Sequence, residues 1–336
     1  MKKYNGVLAA LLCGTIVLSF PRVLRAEAVK IGVTGGVEFI PYWAGKDKGI
    51  FRKYGLDVDI VTIQAGTIAV QALLGGSTEF AGLGQAYLRG AVRGGDMVMV
   101  ATYMDHFPYS IMVKPSITKP EQLKGTRFAI SRFGSAAEFA ARIGLQHLGI
   151  KPDKELAFVQ VGNETARFSA LQAGTVDATI FGAPLVGVAR RLGFNTLYRM
   201  RELPVFYPHE GLVVTKRYAA ANRDTVSRFV KVLVESIHAL KADKEFAIAQ
   251  MAKYLKIDPV ENRVVLEDSY QEIVIDDFIK NPRPSIEGVK FMLEVLRDTE
   301  KLKMSMDPKD YVDTAFMDQL NKNGFVESLY KRDLNK

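Results

Sequence analysis

The residues best suited to bind a ligand follow the ends of predicted β-strands. Arg132, Gly134 and Ser135 come directly after an apolar segment at 127–130 that we predict to be a strand, and they precede a helical pattern. A helix N-terminus carries unpaired N–H groups and a partial positive charge, and an arginine adds planar donors that suit a carboxylate or sulfonate. Ser135 also begins a Ser-Ala-Ala-Glu capping box, so a purely structural role for Ser135 stays open. Together these residues predict a small anionic ligand.

Further candidates lie at the carboxyl ends of other predicted strands, where parallel α/β sheets bind their ligands. Asn163 and Thr67 occupy equivalent predicted helix N-cap positions, which again allows a capping role. Tyr42 and Tyr109 carry rings that suit an apolar or aromatic part of a ligand. The candidates in these loops are Phe39, Tyr42, Thr67, Gln85, Tyr109, Asn163 and Ala183.

The competing hypothesis is a neutral heterocycle held by stacking alone. In that case Arg132 points to solvent, and the ligand carries no charge that needs an arginine. The sequence leaves both hypotheses open.

No residue pattern typical of an enzyme is found in the sequence. The four histidines, His106, His147, His209 and His238, do not show metal-ligand spacing, although His106 and His209 lie near the predicted crossings between lobes. A Gly-x-Gly at 82–84 lacks the third glycine of a dinucleotide fingerprint, and there is no Gly-x-Ser-x-Gly or P-loop. We therefore predict no catalytic residue, no cofactor and no metal.

The first 28 residues have the composition of an export signal. Lys2 and Lys3 precede an apolar run at 7–20, which is shorter than the about 20 residues that span a bilayer, and Ala26-Glu27-Ala28 has the small-x-small pattern of a cleavage site. The only cysteine, Cys13, lies in this run. We expect cleavage near Ala28 and a periplasmic protein without disulfides.

Composition and charge indicate an ordinary globular protein. Of 336 residues, 48% are hydrophobic and 24% are charged, which is an ordinary composition. The length is sufficient for two lobes of typical domain size. The net charge is +8, but no block of lysine and arginine is present. We therefore expect no nucleic-acid partner.

An internal repeat at an offset of 98 residues indicates a duplicated α/β unit. Ala72-Leu73 corresponds to Ala170-Leu171, and Gly76, Glu79 and Gly84 correspond to Gly174, Asp177 and Gly182. Each copy alternates short apolar runs with helical patterns, which is typical of parallel βαβ units. Extended segments at 110–113 and 212–215 are predicted to cross between the copies, so the two lobes should be joined by a hinge.

The predicted organisation is a signal peptide at 1–28, a first lobe at 29–111, a second lobe at 112–212, and a return to the first lobe with C-terminal helices at 213–336. One predicted C-terminal helix is capped by Asn222 and carries an apolar stripe. Another starts at Asp307-Pro308 and ends at Gly324.

Several motifs resemble a family of solute-binding proteins. The segment Pro41-Tyr42-Trp43-Ala44-Gly45-Lys46-Asp47-Lys48-Gly49-Ile50-Phe51 resembles its P-x-x-x-A-x-x-x-G-x-F pattern, with the alanine one position early, and Gly-Leu-Asp-Val follows at 55–58. Ala-Leu-x-x-Gly-x-x-acid segments at 72–79 and 170–177, Leu-Lys-Gly at 123–125 and Phe-Gly-Ser at 133–135 extend the resemblance over about residues 29–240. The chain therefore resembles the extracytoplasmic solute-binding proteins of ABC importers for nitrate, sulfonates, taurine and thiamine-precursor pyrimidines.

This resemblance implies an α/β, two-lobed type II periplasmic binding protein fold, with duplicated parallel-sheet lobes, a hinge and C-terminal helices. It also implies a monomer that binds one small molecule in the cleft and delivers it to an ABC transporter permease. Two alternatives are kept: an exported sensory subunit that reports ligand to a membrane kinase, and an enzyme on the same fold, such as a relative of thiamine-pyrimidine synthase.

Overall fold

A computed structural model describes residues 26–205, 207–300 and 305–331. Most of the predicted signal peptide, 1–25, lies outside these residues. Ten strands are found in the described ranges, and they form two sheets of five strands each. The strands are β1 (Glu27–Val33), β2 (Leu56–Thr62), β3 (Phe80–Gly82), β4 (Val98–Met104), β5 (Tyr109–Val113), β6 (Arg127–Ile130), β7 (Ala157–Gln160), β8 (Ala178–Gly182), β9 (Asn195–Arg199) and β10 (Glu210–Val214).

The two sheets have equivalent topology, which confirms the duplicated parallel-sheet lobes predicted from the repeat. The first-lobe sheet has the order β2-β1-β3-β10-β4, and the second-lobe sheet has the order β7-β6-β8-β5-β9. In each sheet the first three strands of the copy are parallel. The strand that enters from the other copy, β10 or β5, is antiparallel to both of its neighbours.

Helices cover the sheets and form most of the C-terminal part of the chain. This part also contains a π-helix, Tyr270–Asp277. The α-helices are α1 (Ile40–Asp47), α2 (Ile50–Lys53), α3 (Gly66–Leu74), α4 (Gln85–Val92), α5 (Ala136–His147), α6 (Pro152–Glu155), α7 (Glu164–Gln172), α8 (Leu185–Arg191), α9 (Lys216–Ala221), α10 (Arg223–Ala242), α11 (Lys244–Leu255), α12 (Arg263–Ser269), α13 (Ile286–Glu300), α14 (Ala315–Lys322) and α15 (Phe325–Lys331). None of the described helices has the length and apolarity needed to cross a membrane.

Four local predictions need correction. The sequence pattern from Pro41 to Lys53 predicts one helix, but the structure divides it into α1 and α2, because Gly49 adopts a left-handed conformation with φ of 70°. Thr67 lies inside α3 and does not cap it. Asn222 precedes α10, but its amide bonds back to the Tyr218 carbonyl and does not cap the helix. Asp307 caps only a 3-10 turn, and α14 starts later, at Ala315.

The two chain crossings between the lobes lie side by side. The first joins β4 to β5, and the second joins β9 to β10. The Tyr207 N–H donates to the Asp105 carbonyl at 2.8 Å, and the rings of Phe107 and Tyr207 stack with centroids 3.8 Å apart.

Asp277, at the end of the π-helix, contacts both crossings. Its carboxylate lies 2.8 Å from Nε2 of His106 in the first crossing and accepts a hydrogen bond from Arg201 in the second. The side chain of Asp277 is only 1% exposed. Although burial opposes the charged imidazolium, Asp105 and Asp277 raise the pKa of His106 to about 9, so this ion pair persists at neutral pH.

The first-lobe core is formed by α10 packed against α1 and the sheet. Val226, Phe229, Val230 and Leu233, part of the stripe predicted from sequence, are fully buried. Phe229 stacks on Phe80 with ring centroids 4.0 Å apart and meets Phe51 edge-on at 5.1 Å. This aromatic cluster joins α10 and α2 to the sheet.

We expect Phe229→Ala to lower the free energy of unfolding by about 3–5 kcal/mol, because it removes a buried ring and leaves a cavity. The measurement is urea denaturation followed by circular dichroism. Leu192→Ala is the control: Leu192 is 55% exposed, and its truncation should change the stability by no more than about 0.5 kcal/mol. Equal effects of the two substitutions would contradict the assigned core.

Candidate functional site

A polar cavity lies where the carboxyl ends of the parallel strands of the two sheets meet. The first-lobe wall comes from the loops after β1, β2 and β3, and the second-lobe wall comes from the loops after β6 and β7. Tyr109 and Glu210, the first residues of the two crossing strands, also line it. The other lining residues are Thr34, Glu38, Gln64, Ala65, Gly66, Gly82, Leu83, Gly84, Ala86, Ser131, Ser135, Ala136, Ala137, Asn163, Glu164 and Arg167.

The cavity is small in this structure, about 40 Å³. Organic ligands of drug size occupy sites of about 300–1,000 Å³. A molecule of that size does not fit the cavity in this arrangement of the lobes.

The second-lobe wall combines two capped helix N-termini with a buried ion pair. Ser135 Oγ accepts from the Glu138 N–H at 3.2 Å, and Asn163 Oδ1 accepts from the Ala166 N–H at 3.0 Å. Both predicted caps are confirmed. The next residue, Glu164, accepts from the Gly182 N–H at 3.1 Å and lies 3.8 Å from the Arg167 guanidinium.

Arg167 connects the strands of the second lobe beneath the cavity. It is 2% exposed and donates to the carbonyls of Gly162 at 2.7 Å and Ile180 at 2.9 Å. Because these two carbonyls accept hydrogen bonds from most of the N–H groups of Arg167, its guanidinium acts mainly as a buried positive charge that faces Glu164.

Three buried titratable groups lie together in the first lobe: Glu38 and Glu210 line the cavity, and His209 adjoins them without lining it. They are 4%, 5% and 0% exposed, and one donor atom from each lies within 4.8 Å of the others. The chain is tightly packed here, since a Cβ at Gly84 would collide with the carbonyl oxygen of His209. Any larger residue at position 84 would displace His209 and the start of β10 that follows it.

Burial sets the charge state of these groups. Burial and the neighbouring Glu164 raise the pKa of Glu38 to about 8. Burial and Glu38 raise the pKa of Glu210 well above its ordinary value. Burial and the charge of His106 lower the pKa of His209 to about 3, which leaves the ring neutral. A desolvated charge is costly without a partner, so a cation or a hydrogen-bond donor is needed to keep these carboxylates ionised.

An ion pair connects the two lobes beside the cavity. Arg89 on α4 of the first lobe lies 3.2 Å from the Glu138 carboxylate on α5 of the second lobe. Glu138 also accepts from the Gly134 N–H at 2.8 Å and from Arg142. Because the Glu138 side chain is only 5% exposed, loss of Arg89 would leave a buried carboxylate with one partner fewer.

Three of the ten predicted ligand-binding residues line the cavity: Tyr109, Ser135 and Asn163. Thr67 and Gly134 line a separate surface depression of about 450 Å³, together with Arg89 and Glu138. Arg132 is exposed and does not line the cavity.

The remaining four predicted residues are buried and do not line the cavity: Phe39, Tyr42, Gln85 and Ala183. Tyr42 lies on α1, which packs against α10, and its ring contacts Tyr103 edge-on with centroids 5.9 Å apart and Phe229 at 6.1 Å. Tyr42 and Phe39 therefore contribute to the core, because the helix that follows β1 turns these rings toward it.

Three lining residues, Glu164, Arg167 and Glu210, were not predicted individually from the sequence. Two sequence features point to them. Glu164 and Arg167 have i, i+3 spacing directly after the cap Asn163, and Glu210 follows His209 just before the predicted crossing segment at 212–215. Glu38, Gln64, Gly84 and Ser131 all lie in loops after predicted strands, but none of them was chosen.

Comparison with known proteins identifies the family. The family model described as NMT1/THI5 like matches residues 37–247. The chain belongs to the NMT1/THI5-like family. It is 25% identical over 313 residues to a binding protein of Brucella abortus (strain 2308), covering 88% of this chain and 94% of that protein. It is 29% identical over 175 residues to the taurine-binding periplasmic protein of Escherichia coli (strain K12), covering 50% of this chain and 53% of that protein.

Solved structures confirm the periplasmic binding protein fold for this NMT1/THI5-like chain. The alkanesulfonate-binding protein SsuA of Xanthomonas axonopodis pv. citri superposes with a TM-score of 0.72 and 19% identity, covering 85% of this chain and 98% of that one. The desulfurization enzyme DSZB superposes with a TM-score of 0.63 and 13% identity, covering 88% and 99%. The same fold therefore supports both binding and catalysis.

We expect Glu38→Gln to stabilise this NMT1/THI5-like protein, and by a larger amount at pH 8 than at pH 5. The pKa of Glu38 is higher in the folded than in the unfolded chain, so its contribution to stability is full below about pH 4.5 and is lost as the pH rises to about 8. Glutamine carries no charge at any pH and removes this loss. Thermal unfolding of both proteins across this range is the measurement.

The titratable groups that face Glu38 are Glu164, Arg167, Glu210 and His209, and they keep part of the pH dependence in both proteins. Glu267→Gln is a control of opposite sign, because the hydrogen bond from Arg263 lowers the pKa of Glu267 and stabilises its charged form. If the difference in stability between Glu38→Gln and the unmodified protein stays constant or becomes smaller as the pH rises, the raised pKa of Glu38 is contradicted.

Proposed function

We propose that this protein is a periplasmic solute-binding protein that captures a small organic molecule between its lobes and delivers it to the permease of an ABC importer. One observation carries the proposal: polar groups from equivalent loops of both lobes converge on a cavity that a two-crossing hinge can open. The names of its relatives, which are binding proteins, support binding over catalysis. The position of the only cysteine, in the predicted leader, adds to that support.

The lining residues favour a ligand that donates hydrogen bonds. The sequence had suggested an anion or an aromatic molecule, and the anion depended on Arg132, which is exposed. Three carboxyl groups, from Glu38, Glu164 and Glu210, face one guanidinium in the cavity. We therefore propose an amine or an amino-substituted heterocycle, with the Tyr109 ring against its apolar part and its N–H groups directed at Glu164.

The identity of the ligand is tested by mass spectrometry of the small molecule released when the purified protein is denatured. With that ligand, Glu164→Gln should weaken binding by about 10- to 150-fold, since hydrogen bonds to charged groups contribute about 1.5–3 kcal/mol. Calorimetry is the measurement, and the melting temperature of the variant checks its folding.

Arg132→Ala is the matched control, because Arg132 is charged, close in sequence to the second-lobe wall, and exposed. Its removal should change affinity by less than about threefold. A large loss in Arg132→Ala with none in Glu164→Gln would overturn the ligand class and restore the anionic ligand. Copurification with a membrane kinase, and not with a permease, would indicate a sensory role.

We further propose export with cleavage after Ala26. Glu27 is the first residue of β1, its N–H donates to the Gly55 carbonyl at 2.9 Å, and its carboxylate accepts from Thr225 at 2.9 Å and pairs with Arg228. Cleavage near Ala28, as expected from the small-x-small pattern, would remove these contacts. Cleavage after Ala26 keeps them.

N-terminal sequencing and intact mass of the exported protein should give Glu27 as the first residue. A chain that starts at Val29 would show that β1 forms without Glu27 and would contradict this cleavage site. An uncleaved chain recovered from the cytoplasm would overturn the periplasmic location.

A further inference from the structure

The first-lobe wall has the donor set of a metal site. Glu38 lies in the 3-10 turn after β1, and His209 and Glu210 lie where the chain returns to the first-lobe sheet as β10. Their donor atoms lie within 4.8 Å of one another. Ligands at about 2.0–2.2 Å from one ion are about 3–4 Å apart, so small side-chain rotations are sufficient to bring these atoms to coordination distance.

Two of these three residues, His209 and Glu210, have buried polar atoms without a partner among the described residues. Neither ring nitrogen of His209 makes a hydrogen bond there, and Oε2 of Glu210 has none. His209 is completely buried, and Glu210 is 5% exposed. An unsatisfied buried polar group is unfavourable, and native proteins contain few of them.

The charges of the cavity match a divalent ion. Glu38, Glu164 and Glu210 provide three negative charges when ionised, and Arg167 provides one positive charge. The difference of two is neutralised by one divalent cation.

We propose that His209, Glu210 and Glu38 bind a divalent first-row transition-metal ion such as Zn²⁺ on the first-lobe wall of the cavity. A neutral imidazole with two carboxylates suits these metals, whereas Ca²⁺ and Mg²⁺ prefer oxygen ligands alone. All three donors belong to the first lobe, so the ion binds without closure of the lobes.

Three protein ligands leave at least one coordination position open toward the cavity. An acceptor atom of the organic ligand can fill it while Glu164, on the opposite wall, accepts from the donors of the ligand. This last point rests on the proposed function, but the metal site itself does not.

The experiment is a titration of chelator-treated full-length protein with Co²⁺ and Zn²⁺ by calorimetry, with the absorption bands of bound Co²⁺ as a readout of coordination. We expect one ion per chain, release of protons when calorimetry is compared in buffers of different ionisation enthalpy, and little competition from Ca²⁺ or Mg²⁺. The proton release is measured on the unmodified protein, so it does not depend on the folding of a variant.

Two substitutions of donors and two comparison variants test the assignment. His209→Ala and Glu210→Gln should each weaken binding by at least about 10- to 100-fold and change the Co²⁺ spectrum. His147→Ala removes an exposed histidine outside the cavity and should leave binding intact. Glu164→Gln removes the same charge as Glu210→Gln from the same cavity without removing a donor, so its loss should be clearly smaller.

Absence of binding, equal binding of Ca²⁺, or equal losses in Glu164→Gln and Glu210→Gln would overturn the metal site. The last result would indicate attraction by the acidic cavity without coordination. None of these outcomes affects the capture of an organic ligand, which is judged from the copurified molecule. Failure to find such a molecule likewise leaves the metal titration valid.

Discussion

The structure depends on an exchange of strands between its two lobes. β10 lies between β3 and β4 and pairs antiparallel with both, and β5 does the same between β8 and β9. Neither sheet is continuous without a strand that arrives from the other lobe. The crossings are therefore fixed at the centre of each sheet, and this places Tyr109 and Glu210, the first residues of the crossing strands, in the cavity.

The cavity combines interactions that favour and oppose its closed arrangement. The carboxyl groups of Glu38 and Glu164 lie on opposite walls, and their burial near each other raises the free energy of the closed arrangement. The Arg89–Glu138 ion pair joins the two lobes beside these carboxyl groups. A ligand or ion that supplies positive charge or donors removes much of the electrostatic penalty, so its binding and the approach of the lobes are thermodynamically linked.

Much of the fold was predictable, because hydrophobic periodicity and turn residues are local properties of the sequence. The order of strands and helices through both copies, the caps Ser135 and Asn163, and the apolar stripe of α10 were all found in this way. The helix that divides at Gly49 was not, since a left-handed glycine in a helical pattern is visible only in the backbone.

The site was less predictable, because it is made by residues far apart in the sequence. The loops after the strands were chosen correctly, but the direction of each side chain within a loop depends on tertiary packing. Tyr42 was expected in the cavity and lies in the core, and Arg132 is exposed, whereas the buried acids of the opposite walls meet only after both sheets form.

Asp277 has a consequence for how the lobes move. Its carboxylate contacts His106 in one crossing and Arg201 in the other, and both crossings are joined by the hydrogen bond between Tyr207 and Asp105. Rotation of one crossing against the other would separate this buried carboxylate from His106 or from Arg201. The C-terminal helical layer that carries Asp277 is therefore part of the connection between the lobes, together with the two crossings.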